Sequence, residues 1–79
     1  MPNYYIALTI RRPPYFGDNQ LRDLLRTAVT RAMCVVIEIT SMGLVVDADV
    51  GAIPTLESSL RFMVSEAGGE LLDIKTSPI

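Results

Sequence analysis

The sequence has no histidine, no tryptophan and a single cysteine among its 79 residues. Without histidine, the commonest general base and metal ligand is missing. One thiol, Cys34, excludes an internal disulfide and a cysteine-rich zinc site. A nucleophile paired with a base cannot be assembled in the usual way, so the chain reads as non-enzymatic, with no catalytic residues, no metal and no cofactor. No apolar run approaches the ~18–20 residues that cross a bilayer, so no membrane partner is expected. The start does not read as a secretory leader, because Arg11 and Arg12 follow the first apolar run rather than precede it. The expectation is an intracellular protein.

What is present is apolar. Hydrophobic residues make up 49% of the chain, and the mean hydropathy is +0.34. That is too apolar for a disordered chain. The length allows one domain, 1–79, which buries only somewhat more than ~60% of its unfolded surface. So much apolar material on so small a body points to a surface that meets a partner. The net charge is −2, but it is unevenly spread. Five of the seven cations (Arg11, Arg12, Arg22, Arg26 and Arg31) lie in the first 31 residues, and most acids follow Glu38. A cationic half and an anionic half are suited to different partners.

Periodicity gives the elements. Residues 4–11 alternate, with Tyr4, Ile6, Leu8 and Ile10 on one side, which predicts a half-buried strand. Pro13 and Pro14 end it. Asp18 or Asn19 is a suitable N-cap for a helix whose stripe is Leu21, Leu24, Leu25, Ala28, Val29 and Ala32. Residues 35–40 and 44–50 read as a hairpin around a turn at Ser41, Met42 and Gly43. Pro54 or Thr55 opens a second helix striped by Leu56, Leu60, Met63, Val64 and Ala67, and Gly68 stops it. Residues 70–76 form a last strand with Leu72 and Ile74 inward. The order is βαββαβ, an α+β ferredoxin-like sandwich with two helices on one face of a four-stranded antiparallel sheet. Alternation leaves Tyr5, Thr9, Arg11, Glu38, Thr40, Val45, Asp47, Asp49, Leu71, Asp73 and Lys75 on the open face.

Several groups offer chemistry. Asp47 and Asp49, two apart on a strand with Glu38 across the hairpin, form an oxygen cluster that a divalent ion or a basic partner would meet. The bland reading is a solvated acidic face, and no third ligand is fixed. Arg11 and Arg12, followed by Pro13, Pro14, Tyr15 and Phe16, set two cations beside two aromatics, a pattern suited to phosphate or base contact. The bland reading is a loop whose rings tuck over the core edge. Pro2 after Met1, with Arg12 ten residues on, matches the start of tautomerases, but the hairpin and second helix depart from that pattern. Cys34 reads as a small core residue.

Read in order, these residues resemble the ribosomal small-subunit protein six family, in its bacterial and divergent mitochondrial forms. The resemblance rests on Met1-Pro2-x-Tyr4, on Val35-Val36-x-Glu38-Ile39-x-x-Met42-Gly43-Leu44, and on Ile53-x-x-Leu56-Glu57-x-x-Leu60-Arg61-Phe62. It spans nearly the whole chain, with a shorter hairpin than family members carry. It implies a structural component of the small ribosomal subunit, in a mitochondrial ribosome or the bacterial cytoplasm. The implied partners are ribosomal RNA and a neighbour like small-subunit ribosomal protein eighteen. On that reading Arg11, Arg12, Arg61 and Lys75 contact RNA, while Tyr5, Glu38, Val45, Asp47 and Asp49 contact protein. The alternative is a small interaction module, either a homodimer pairing through the open sheet or an acidic-faced inhibitor.

Overall fold

The computed structural model describes residues 2–40 and 42–79. Met1 and Ser41, which belong to the expected opening and hairpin turn, lie outside the described residues. The elements run β1 (Asn3–Arg11), α1 (Asp18–Arg31), β2 (Val35–Ile39), β3 (Gly43–Asp47), a short 3₁₀ turn (Val50–Ala52), α2 (Ile53–Glu66) and β4 (Glu70–Pro78). The four strands form one antiparallel sheet in the order β2-β3-β1-β4. This is the expected ferredoxin-like βαββαβ fold.

The core forms where the helix stripes meet the inner sheet face. Ile6, Leu44 and Val46 from the sheet, with Val29, Leu56, Leu60 and Val64 from the helices, are all fully buried. No polar side chain is buried with them among the described residues. Burying each such aliphatic side chain contributes about 1.5–3 kcal/mol, so this layer dominates the stability. Two polar contacts bridge elements at its rim. The Ser59 hydroxyl donates to the Ala28 carbonyl at 2.8 Å and so ties α2 to α1. The Thr76 hydroxyl donates to Glu57 at 2.7 Å and ties β4 to α2.

The strands sit close because Gly43 lacks a side chain. A Cβ there would lie 2.1 Å from the Ile6 carbonyl oxygen, well inside contact distance. Gly43 opposes Ala7, and the Met42 carbonyl next to it accepts the Leu8 N–H at 3.0 Å.

Four sequence expectations are corrected. The N-cap of α1 is Gly17, not Asp18 or Asn19. Gly17 is extended, and the Gln20 side chain reaches back to accept its N–H, half of a capping box. Strand β3 ends at Asp47, not at Val50, because β1 supplies no partner beyond Asn3. Ala48 instead donates to the Pro2 carbonyl, and Val50 turns outward, 73% exposed. Asp49 therefore leaves the sheet and caps the 3₁₀ turn. Finally, Leu71 and Leu72 exchange sides: Leu71 is buried and Leu72 is exposed. The register between β1 and β4 shifts after Thr9, so that Ile10 faces Leu71 while Thr9 faces Asp73, and Leu72 is the extra residue.

Both helices end in the same motif with different residues. After α2, Gly68 donates to the Ser65 carbonyl and Gly69 to that of Val64, with Gly68 at φ 94°. After α1, Met33 donates to Thr30 and Cys34 to Val29, with Met33 at φ 61°. These are Schellman motifs, whose left-handed position suits glycine. Met33 holds that conformation with its side chain 91% exposed, so it gains no packing there. Met33→Gly is expected to stabilise the fold by about 1 kcal/mol, read as a rise of roughly 4–8 °C in Tm. Gly43→Ala is expected to cost about 3 kcal/mol by forcing β1 from β3, read as a lower urea midpoint.

Candidate interaction surface

The helices leave the outer face of the sheet without a covering element. Its residues are ordered by the strand register. Glu38 of β2 opposes Val45 of β3, Val45 opposes Tyr5 of β1, and Tyr5 opposes Ser77 of β4. One row thus crosses all four strands. In the next row Ala7 stands between Gly43 and Lys75. On the other side Asp47 stands between Asn3 and Val35. Tyr5, Glu38, Val45 and Asp47 therefore share one surface, as the sequence pattern anticipated. Asp49 does not share it, because β3 has already ended.

Two bulges enlarge the apolar part of this face. The register between β2 and β3 shifts between Val36 and Glu38, which makes Ile37 the extra residue. Val36 and Ile39 pack on the core, whereas Val35 and Ile37 stay exposed, at 53% and 54%. On β4 the second bulge leaves Leu72 at 56% exposure beside Asp73. Sequence reasoning missed Val35, Ile37 and Leu72 as surface residues. The signal that could have found them is the run of consecutive apolar residues (Val35-Val36-Ile37 and Leu71-Leu72) inside otherwise alternating strands. Such runs do not fit a strand with one wet face unless a bulge resets the alternation. Thr40, placed on the open face by alternation, instead turns its hydroxyl into the hairpin, where it accepts the Gly43 N–H at 3.1 Å.

The four cations assigned to RNA each have a definite place. Arg11 pairs with Glu70 across the sheet end at 3.1 Å. Arg12, in the loop after β1, pairs with Asp18 at the start of α1 at 2.7 Å. Arg61 on α2 donates to the Leu71 carbonyl at 3.5 Å. Lys75 projects from β4 opposite Ala7. Both ion pairs are exposed and each contributes about 1 kcal/mol at most. Of the loop aromatics, Phe16 packs against the core, whereas Tyr15, at φ 67°, is fully exposed.

Cys34 is buried where α1 passes into β2, and its thiol donates to the Ala32 carbonyl at 3.5 Å. Burial pushes its pKa up, and the Asp49 and Asp47 carboxylates push it further. The thiol therefore stays protonated and unreactive at neutral pH. Among the described residues no three acidic or thiol side chains come together as a metal ligand set. No helix of the described residues is long and apolar enough to cross a membrane.

The sequence matches no protein-family model and no curated protein. A solved structure of a domain of unknown function, DUF77, from Bacillus cereus is similar in fold, with a TM-score of 0.56 and 9% identity. The match covers 99% of this chain and 73% of that one. At that identity the likeness is one of fold alone.

A folded-state thiol pKa above the unfolded value binds its proton more tightly in the folded chain. Its contribution is complete below the unfolded thiol pKa and is lost as pH rises through the folded one. The urea midpoint is therefore expected to fall more between neutral and strongly alkaline pH in the native chain than in Cys34→Ala.

Proposed function

We propose that the chain is a non-catalytic structural module that pairs with a second copy of itself through the open face of its sheet. The observation that carries the reading is the apolar band of that face: Val45, Tyr5 and Ala7 at the centre, with the exposed Val35 and Ile37 at the β2 edge. Monomeric proteins rarely leave such side chains together in water. The occupant follows from charge. Glu38 lies on the β2 edge and Lys75 on the β4 edge, one row apart. A two-fold axis parallel to the strands lays β2 of one copy over β4 of the other and brings Glu38 near the partner copy's lysine. The apolar centre then covers itself, the self-complementary arrangement that a two-fold interface requires. Asp73 lies beyond Lys75, outside the apolar centre.

Light scattering after size exclusion is expected to give twice the chain mass. Val35→Glu and Ile37→Glu each replace a side chain already half in water, so the fold tolerates them, with an unchanged far-UV spectrum. Each is expected to give the monomer mass. A native chain that stays monomeric at every concentration overturns the reading.

A second reading keeps the chain as a small-subunit ribosomal component, bound to ribosomal RNA and to a protein eighteen-like neighbour. It rests on the sequence resemblance and on α1, whose exposed Arg22 and Arg26 stand one turn apart and form no ion pair among the described residues. In that setting the open face meets the neighbouring protein, and the arginines act as positioning charges on phosphate. Capture of small-subunit ribosomal RNA on the tagged chain, lost in an Arg22→Ala, Arg26→Ala double variant, supports this reading over the dimer. Capture of no RNA removes it.

A further inference from the structure

On the helix side of the sheet, a cleft of about 310 Å³ opens where β1 runs out beside the first turns of α1. Its apolar wall is Leu8 and Ile10 from β1 with Leu21 and Leu25 from α1. Leu21 belongs to the apolar stripe of α1 yet is only half-buried, where it lines this space. Arg12 lines the cleft and also a smaller recess of about 100 Å³, which Asp18 and Arg22 line as well. Arg12, Leu21, Leu25 and Thr40 line both, so the two recesses adjoin.

The size lies at the small end of ligand sites, which run from ~300 to 1,000 Å³. It fits a metabolite rather than a peptide. The charges select among metabolites. Two guanidinium groups against one carboxylate leave a single net positive charge at the polar end. A monoanion neutralises it, whereas a phosphate dianion meets the Asp18 carboxylate with an unbalanced charge. Asp18 holds one Nη of Arg12 at 2.7 Å. A guanidinium has five N–H donors, so the same contact that orients Arg12 leaves most of its fork available. Carboxylates match that fork in shape. The aliphatic wall then takes the body of the ligand.

We infer that this cleft binds a small aliphatic monocarboxylate, with its carboxylate on Arg12 and Arg22 and its chain against Leu8, Ile10, Leu21 and Leu25. The site lies at the end of the sheet, where Thr9, Met42 and Gly43 also line it, and its anion-binding residues Arg12 and Arg22 are not part of the proposed pairing face.

The test titrates isotope-labelled protein with hexanoate and, separately, with hexanamide, and follows the backbone amide shifts. Hexanoate is expected to give saturable shifts within residues 8–12 and 21–25, and to bind about tenfold more tightly than its neutral analogue. Arg12→Gln and Arg22→Gln are each expected to reduce that preference. Leu21→Trp fills the cleft from a half-buried position and is expected to abolish binding of both ligands while the spectrum stays dispersed. Equal affinity for the two ligands, shifts centred on the open sheet face, or no saturation with hexanoate each overturn the inference. The mass of the particle is read in the same samples, so failure of pairing and failure of ligand binding are told apart.

Discussion

Everything in this molecule depends on one layer of aliphatic side chains between the helices and the inner face of the sheet. Ile6, Leu44 and Val46 on one side, with Val29, Leu56, Leu60 and Val64 on the other, are sealed from water. The polar bridges at the rim, Ser59 to Ala28 and Thr76 to Glu57, fix how the helices lie on that layer but do not replace it. A chain this short has only one such layer. Because both helices cover the same side, the other side of the sheet is left without cover, and its chemistry is set by whatever the strands turn outward.

The strand irregularities decide that chemistry. A regular β2 and β4 would have carried Ile37 and Leu72 differently, and the open face would have been more polar. The two bulges add apolar surface at opposite edges, with Val45, Tyr5 and Ala7 between them. The proposed pairing would use the outward rows, whereas the proposed ligand site sits at the end of β1 beside α1 and reaches Thr9 and Gly43 at the sheet's end.

Much of this was legible in the residues. Period two located β1, and period 3.6 located both helices with their stripes, because each element buries a single face and its apolar residues must recur at the period of that face. The αL stop at Gly68 was legible because glycine suits a positive φ there. The matching stop at Met33 was not, since methionine carries no such signal. The end of β3 depended on where a partner strand begins, which local pattern does not encode. The exchange of Leu71 and Leu72 depended on a register shift against β1, again a pairing property. For the candidate surface, alternation correctly grouped Tyr5, Glu38, Val45 and Asp47. That Arg11 and Arg12 each pair with a carboxylate was not legible, because Glu70 and Asp18 meet them only through strand pairing and the loop that leads into α1.

The edges of the sheet carry a consequence for how copies of the chain add to one another. An uninterrupted outer strand offers its backbone as a template for another, and such growth has no natural end. Here β2 is short and bulged, β4 is bulged and reaches Pro78, and Arg61 occupies the Leu71 carbonyl. Backbone-to-backbone addition is thereby interrupted on both sides. In the proposed pairing the flat face is the surface used, where contact by one copy covers what another would need, so such pairing would close on itself and not extend into fibres.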